Sequence, residues 1–306
     1  MVTAFQPQSQ PQSQPLSPPQ VFNRNLVRLH RDRAARMISN GTSDDFLYVE
    51  LANRLNDCLE DVKRSFPRVL DLGCRAGTLW PLVKQRCGQD LYLQADPSAA
   101  MVSLARQNGN PSFVVEEEAL AIGDEQFDLI LCGGGLHWVN DLPGTLMQIR
   151  KALKPDGLFL GVCISGATLA DAEHVMLQTE TDLSGGVSPR FSPSFDLKEA
   201  TGLLQRAGFA LPVGDLQTLT VDHSHPFKLM QDLRAMGETN AHTGQLKHFS
   251  PRNLLPTFAS NFMDSQNENG RIATNFDLMF LSGWAPHASQ QQAPKPDTSK
   301  FDFSLT

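Results

Sequence analysis

The stretch 69–77 combines residue types that could bind a nucleotide-like cofactor. Its sequence, VLDLGCRAG, runs from apolar residues into Asp71 and then into Gly73 and Gly77. The pattern predicts a buried strand that turns sharply into a helix, where glycine lets the backbone approach a ligand closely and Asp71 can accept hydrogen bonds. The dinucleotide fingerprint G-x-G-x-x-G would need a second glycine where Arg75 stands, so a nicotinamide cofactor is not favoured.

An acidic residue after the next predicted strand could bind a ribose. Asp96 lies about 20 residues beyond the glycine turn, the distance at which an acid can accept both ribose hydroxyls of an adenosine-bearing ligand. The alternative is that Asp96 only begins a helix whose first residue is Pro97. The spacing from Gly73 and Gly77 favours the ribose interpretation.

Three consecutive glycines follow a further apolar run and predict the floor of a reaction chamber. Gly133–Gly135 permit close approach by a cofactor and a substrate. His137 follows directly and is a candidate general base, because the intrinsic pKa of histidine lies near neutrality. The other interpretation is a packed histidine, which the lack of a visible partner in the sequence favours.

The elements that must position these residues alternate between strand and helix from residue 68 onward. Alternation of this kind predicts an α/β fold, a mostly parallel sheet with helices on both faces. Ligands of such sheets bind at the carboxyl ends of the strands. Segments between the later strands should form a helical cap over these ends. The predicted strands are 69–72, 91–95, 112–115, 127–132, 157–163, 213–221 and 274–284, with early helices near 78–87, 98–108 and 142–153.

Composition divides the chain further. The first twenty residues are almost entirely Gln, Pro and Ser, which predicts disorder because little apolar surface can be buried. The expected segments are a disordered tail at 1–20, N-terminal helices at 21–65, a cofactor-binding core at 66–165, the cap with the last two strands at 166–286 and a flexible tail at 287–306.

The first predicted helix, over 21–36, is rich in arginine. Residue types alone favour a solvated basic face. The alternative is a lid or a docking strip for an acidic partner.

Charge, cysteine usage and hydropathy limit the function classes. The formal charge is −7 and the pI about 5.6, so a general electrostatic footprint for nucleic acid is missing. The five cysteines stand singly, without a C-x-x-C pair, which fits reduced thiols in a cytosolic compartment. No apolar run approaches the roughly 20 residues that span a bilayer. The start excludes a secretory signal, whereas a leader with a delayed basic helix stays open.

Two histidine patterns resemble metal sites but do not favour one. His223 and His225 have a spacing seen in metal sites, but their position just after a predicted strand favours a turn. His30 and Asp32 copy half of a facial iron triad, but residues two apart on a helix point in different directions. The prediction is therefore no metal.

The glycine turn resembles the first motif of class I S-adenosylmethionine-dependent methyltransferases, D-x-G-x-G-x-G, with Arg75 in place of the central glycine. The branch that contains the carrier-protein malonyl methyltransferases is similar. A closer resemblance is to the respiratory complex I assembly factor 5 family. It is carried by VFNRNL at 21–26, LHWVNDLP at 136–143, GG-x-SP with SP at 185–193, RAGF at 206–209, MGETN at 236–240 and GW at 283–284.

The resemblance implies S-adenosylmethionine as cofactor and a Rossmann-like sheet of seven strands. It places an acid after the third strand at the adenine, which the register from Phe127 assigns to Glu116. The implied cofactor ligands are Asp71, Gly73, Gly77, Asp96, Glu116, Glu117 and Gly133, the catalytic candidates His137 and Asn140, and the substrate or cap residues Arg190, Glu238 and Asn240.

Two activities follow from the resemblance. The first is methyl transfer to an acceptor that the sequence does not identify, either a protein or an acyl-carrier-linked small molecule. The second is arginine hydroxylation, or an assembly role, on a respiratory complex I subunit with S-adenosylmethionine as a bound ligand. A degenerate fold kept for partner binding is the third alternative. The expected location is the bacterial cytoplasm, or the mitochondrial matrix for a eukaryotic member.

Overall fold

The structure is a computed structural model that describes residues 19–43 and 45–290. Most of the predicted tails, at 1–20 and 287–306, therefore lies outside the described residues. The first residues of the C-terminal tail are held against the fold, because the Gln290 amide donates to Asp156 Oδ1 at 2.9 Å and to the Ala285 carbonyl at 2.8 Å.

A seven-stranded sheet forms the centre of the described chain, as predicted. Its spatial order is β3-β2-β1-β4-β5-β7-β6, in which β1 to β5 pair in parallel and β7 runs antiparallel to both β5 and β6. The carboxyl ends of the neighbouring parallel strands β1, β2 and β4 therefore meet at one edge. The strands are β1 Phe66–Leu72, β2 Cys87–Asp96, β3 Ser112–Val114, β4 Phe127–Gly133, β5 Leu153–Ser165, β6 Ala210–His223 and β7 Ile272–Trp284.

The helices follow the predicted alternation, with one clear exception. The expected helix at 78–87 shrinks to four residues, because Cys87 already pairs with Phe66 as the first residue of β2. The helices are α1 Arg24–Ser39, α2 Phe46–Glu60, α3 Trp80–Val83, α4 Ala99–Ala105, α5 Leu142–Ala152, α6 Ala170–Ser184, α7 Leu197–Arg206, α8 Pro226–Met236 and α9 Leu254–Met263, with 3₁₀ turns at Arg106–Asn108 and Leu136–Trp138.

Alternate residues of the central strands build two apolar layers. Leu129 of β4 faces the layer that contains Leu51 and Leu55 of α2, whereas its neighbour Ile130 faces the layer that contains Leu146 of α5. This is the period-two arrangement of a sheet buried on both faces. It directs the strand ends, rather than the faces, toward any ligand.

The prediction of a solvated basic face on the first helix is wrong. In α1, Val27, Ala34 and Ala35 are buried, and the Arg31 side chain is only 2% exposed. The helix packs on α4 through the contact of Ala34 and Ala35 with Met101. Buried carboxylates at the sheet edge give its arginines partners, which residue types alone do not reveal.

Within residues 19–43 and 45–290, no helix combines the length and apolar character needed to cross a membrane.

Candidate active site

The glycine turn joins β1 to α3 as a sharp turn, as predicted, and its backbone lies in the left-handed region. Gly73 has a φ of +69° and Gly77 a φ of +78°. Arg75, in place of the central glycine, also lies in this region with a φ of +50°. The turn is tied to the neighbouring strand because the Gly73 amide donates to the Ala95 carbonyl at 2.7 Å.

The two motif glycines lie in different surroundings. A Cβ on Gly77 would lie 2.3 Å from Asn108 Nδ2 and 2.6 Å from Gln94 Nε2, so these side-chain ends would have to move, and the φ of +78° would strain any other residue there. A Cβ on Gly73 would meet only ordinary contacts, at 3.7 Å from Gly135 Cα. Gly73 therefore faces the space between the turn and the end of β4.

Asp71 lies under the turn and is fully buried. Its carboxylate accepts a hydrogen bond from the Tyr92 hydroxyl at 3.0 Å. Burial raises the pKa of Asp71 to about 7, although the Tyr92 hydrogen bond opposes this rise. Asp71, Gly73 and Gly133 line one cavity at the turn, but its volume is only about 20 Å³, roughly the space of one water molecule.

Asp96 ends β2 with both carboxylate oxygens engaged. Oδ1 accepts from the Ser98 amide at 2.8 Å, and Oδ2 accepts from the Arg75 amide at 3.1 Å and from Arg31 Nη1 at 3.3 Å. Burial raises the pKa of Asp96, although the Arg31 charge acts in the opposite direction. The predicted ribose ligand thus faces an arginine of the chain itself.

Glu117, rather than Glu116, lies inside the pocket. Its side chain has no exposed surface, whereas that of Glu116 is 40% exposed. Glu117 Oε1 accepts from Arg31 Nη1 at 2.8 Å, and its other oxygen accepts from Arg24. Burial would raise the pKa of Glu117, but the charges of Arg31 and Arg24 lower it below the ordinary value. The register counted from Phe127 assigned the adenine contact to Glu116, one residue before the buried Glu117.

Arg75 turns its side chain away from the glycine turn. Its Nη2 donates to Asp45 Oδ1 at 3.1 Å and to the Met236 carbonyl at 2.7 Å. The guanidinium carbon lies 3.4 Å from the centroid of the Tyr48 ring, a cation–π contact. Arg75 therefore joins the glycine turn to α2 and to the end of α8.

The triple glycine gives room to side chains of the protein. A Cβ on Gly134, where φ is +102°, would lie 2.5 Å from Tyr48 Cε1. A Cβ on Gly135 would lie 3.1 Å from Glu117 Oε1 and 3.6 Å from Arg31 Nη2. Close approach is needed here, as predicted, but by α1, α2 and Glu117.

The chemistry of these residues suits an adenosyl group, but the free volume between them is too small for one. Two buried acids and a glycine turn are the hydrogen-bond acceptors and the close surface that such a ligand needs. Arg31 and Glu117, however, fill the space between the turn and the end of β4, and a ligand of this size needs roughly 300 Å³ or more. With α1 in this position, the pocket does not accept the cofactor.

A second and larger cavity lies beside β5 and has a volume of about 300 Å³. Its wall is mostly apolar and is formed by the end of β5, by α6, α8 and the loop 190–195. Three of the polar residues predicted for the substrate line it, namely Arg190, Glu238 and Asn240. The catalytic candidate His137 lies on the same wall.

Glu238 connects the 3₁₀ turn that carries His137 to α2. Its carboxylate accepts from His137 Nε2 at 3.0 Å, from Trp138 Nε1 at 3.0 Å and from the Tyr48 hydroxyl. Burial would raise the pKa of Glu238, but the charge and hydrogen bond of His137, with further help from Arg75, lower it to about 2. Glu238 is therefore an anion over the whole physiological range.

This anion assigns the histidine tautomer. An ionised carboxylate can only accept, so the proton of neutral His137 lies on Nε2. In the neutral ring the lone pair lies on Nδ1, an atom that is buried without a partner among the described residues. His137 thus gains the partner that the sequence did not show.

The remaining predicted residues have structural contacts. Asn140 is not brought to the cavity, since its Oδ1 accepts from the Phe22 amide at 2.7 Å and its Nδ2 donates to the Phe22 carbonyl at 3.2 Å. Arg190 is held by Glu180 at 2.9 Å, and Asn240 donates to the Pro189 carbonyl at 2.7 Å. The prediction for Asn140 is therefore corrected to a support for the segment that precedes α1.

Sequence reasoning missed Arg24, Arg31 and Tyr48. A signal existed for the two arginines, which stand seven residues apart and on the same helical face as Val27 and Ala34. Among residues 19–43 and 45–290, no cluster of side chains has the composition of a metal site. His223 instead pairs with Asp232 at 3.4 Å, and His30 with Thr239 at 3.0 Å.

Comparison with known proteins agrees with this geometry. A family model described as a methyltransferase domain matches residues 44–211. The human protein named arginine-hydroxylase NDUFAF5, mitochondrial, is 33% identical over 92% of this chain and 82% of its own length. A malonyl-[acyl-carrier protein] O-methyltransferase of Halorhodospira halophila is 25% identical over 92% of this chain and 95% of its own. The YcgJ structure from Bacillus subtilis, 17% identical, covers 76% of this chain and 98% of its own with a TM-score of 0.54, which supports the fold.

Proposed function

The chain belongs to the methyltransferase-domain family, in the group that includes the NDUFAF5 proteins, and from this premise we propose that it transfers a methyl group from S-adenosylmethionine to an acceptor in the β5 cavity. The predicted family, the α/β fold and the enzyme class are confirmed at the level of the family. The acceptor, the cofactor and the role of each site residue are parts of the proposal.

One observation carries the proposal, the pair formed by His137 and Glu238 on the wall of the 300 Å³ cavity. The cavity lies at the carboxyl end of the sheet, where ligands of this fold bind. Its apolar wall excludes water from an acceptor, and His137 Nδ1, which is buried without a partner among the described residues, is the nitrogen that the proposal requires to become accessible when the acceptor binds. A histidine with only a packing role would need neither the neighbouring cavity nor the paired carboxylate.

S-adenosylmethionine supplies an electrophilic methyl group when it is bound. The chain must then hold the acceptor in line and remove its proton. His137 Nδ1 accepts that proton from the oxygen or nitrogen of the acceptor, and Glu238 stabilises the imidazolium that forms. The proton returns to water when the methylated product leaves.

The proposed cofactor ligands are Asp71, Gly73 and Gly133 at the turn, with Asp96 and Glu117 for the adenosine. Gly77 supports the turn by packing, and Glu116 lies at the rim of the pocket. Because Arg31 now fills this place, α1 must move before the cofactor binds.

Isothermal titration calorimetry with S-adenosylhomocysteine tests the proposal. We compare Gly73→Ala with Gly109→Ala, two glycines with φ of +69° and +80°, of which Gly109 has no atom within 4 Å of an added Cβ. Both variants should lose similar stability, but only Gly73→Ala should weaken binding, by about tenfold or more. No binding at millimolar ligand, either by the unmodified protein or by Arg31→Gln, in which the guanidinium no longer occupies the pocket, would refute the cofactor proposal.

A second candidate is arginine hydroxylation, or an assembly role on a respiratory complex I subunit, with S-adenosylmethionine only bound. The name of the NDUFAF5 relatives favours it. Mass spectrometry of candidate protein acceptors, incubated with cofactor labelled at the methyl group, separates the two. Methyl transfer adds the label, whereas hydroxylation adds one oxygen and no label. An acyl carrier protein is included as a further acceptor, and the cellular location stays a prediction.

A further inference from the structure

Arg31 occupies the adenosine pocket through contacts with both of its acids. Its Nη1 lies 2.8 Å from Glu117 Oε1 and 3.3 Å from Asp96 Oδ2, and all three side chains are at most 2% exposed. A cation placed between two buried carboxylates is the partner that an isolated protein needs to keep both acids ionised. An adenosine that binds the same acids must take the place of this guanidinium.

The contact leaves Arg31 poorly satisfied. Only Nη1 has hydrogen-bond partners, whereas Nε and Nη2 are buried without one among the described residues. Buried donors without partners cost free energy. The closed position of α1 is therefore favourable enough to form and is less favourable than a fully paired arginine would be.

Contacts outside the pocket hold α1 in the same position. Arg33 Nη2 donates to Thr239 Oγ1 at 2.9 Å, and Ser98 Oγ donates to Asp32 at 2.6 Å. The Asn23 amide donates to the Ala241 carbonyl at 2.8 Å. Thr239 directly follows Glu238, the partner of His137, so the position of α1 is physically connected to the acceptor cavity.

We propose that α1 competes with the cofactor, so that Arg31 must leave Asp96 and Glu117 before S-adenosylmethionine binds. This inference rests on the proposed function. The apparent cofactor affinity is then the intrinsic affinity reduced by the fraction of molecules in which α1 has moved away. Because α1 contacts Thr239, cofactor binding also loosens the segment that positions Glu238, which couples cofactor loading to the acceptor cavity.

The test measures S-adenosylhomocysteine affinity by calorimetry in three variants of the whole chain. Arg31→Gln removes the competing charge, and affinity should rise by about tenfold or more. Arg33→Ala leaves both acids and Arg31 intact and removes only the contact with Thr239, so affinity should rise by about 3- to 10-fold. Arg28→Gln is the control, because Arg28 is a half-exposed cation of the same helix, 3.9 Å from Glu116. It should change affinity by less than about twofold.

Hydrogen exchange supplies a second readout that does not depend on Arg31 substitution. Amides of residues 24–39 in the unmodified protein should exchange faster when S-adenosylhomocysteine is bound. Weaker binding by Arg31→Gln, together with slower exchange in α1, would show that Arg31 is a ligand of the cofactor and would overturn the inference. Should Arg31→Gln fail to fold, Arg33→Ala and the exchange measurement decide.

The outcomes separate this inference from the proposed function. Equal affinity in all four proteins, with unchanged exchange in α1, refutes the competition and leaves the methyltransferase proposal intact. No binding in any of them, including Arg33→Ala, refutes the proposed cofactor and the competition with it.

Discussion

Two regions at the same edge of the sheet differ in how they are filled. At the glycine turn, charged side chains of the chain leave a cavity of about 20 Å³. Beside β5, an apolar wall leaves about 300 Å³. The region of the glycine motif is therefore closed, and the region lined by His137, Arg190 and Glu238 is open. A binding motif therefore shows which groups can hold a ligand, while neighbouring elements decide whether the ligand has room.

The buried glutamate gives the largest expected effect on the closed region. Glu117→Ala should lower the free energy of unfolding by about 3–5 kcal/mol, because Arg31 would lose its closer partner in a fully buried setting. Glu116→Ala is the matched control, and it should change this free energy by less than about 0.5 kcal/mol because its side chain is 40% exposed. Urea denaturation measures both. Equal losses would show that the pocket is not closed by the Arg31 pairs.

His137→Ala tests whether the open region beside β5 is the site of methyl transfer. For an acceptor found by methyl labelling, kcat should fall by about 10²- to 10⁴-fold, because the general base is lost. The affinity for S-adenosylhomocysteine should stay within about twofold. His248→Ala, on an exposed loop, is the control and should leave kcat unchanged. A fall in cofactor affinity with normal kcat would place His137 in the other region.

Asp71 gives a pH-dependent effect of intermediate size in the closed region. Its pKa is raised to about 7 in the folded protein, so its protonation stabilises the fold below the unfolded pKa near 4, and this stability is lost as pH rises toward 7. The unfolding free energy of the unmodified protein, relative to Asp71→Asn, should fall by about 2 kcal/mol between pH 5 and 7 and then level off. Urea denaturation across pH 5 to 8 measures it. A flat difference would mean that Asp71 is ionised throughout.

The smallest effect separates two neighbouring glycines. Gly134→Ala should cost about 1–3 kcal/mol of unfolding free energy, because its Cβ would overlap Tyr48. Gly133→Ala should cost less, since no atom lies within 4 Å of an added Cβ. Thermal and urea unfolding of the two variants measure the difference. A greater loss at Gly133 would show that this glycine, and not Gly134, receives the closely packed side chain.

Local sequence predicted much of the fold. Strand and helix alternation located the seven strands, and α5, Leu142–Ala152, matches the predicted helix at 142–153. The helix at 78–87 was wrong because strand pairing of Cys87 with Phe66 outweighs local helical tendency. The solvated face of α1 was wrong because a helix of arginines buries them only when acids from distant segments, at Asp96 and Glu117, provide partners.

The candidate site divides in the same way. The glycine turn, Asp71 and Asp96 were predicted, since each depends on residues within one strand and the turn that follows it. Glu238 could be named as a cap residue, but its contact with His137 joins positions 101 residues apart in the chain. The catalytic prediction for Asn140 was wrong, because its side-chain amide binds the backbone of Phe22 and does not reach the cavity.

The sequence by itself determined the sheet, the sharp glycine turn and the acids at the strand ends, because turn-forming residues and hydrophobic period are local properties. Only the tertiary structure decided that Arg31 rather than open space faces Asp96 and Glu117, that Arg75 turns toward Asp45 and Met236, and that Glu238 assigns the proton of His137. Ion pairs and buried hydrogen bonds depend on distances between remote segments, and their strength depends on burial that only the folded chain creates.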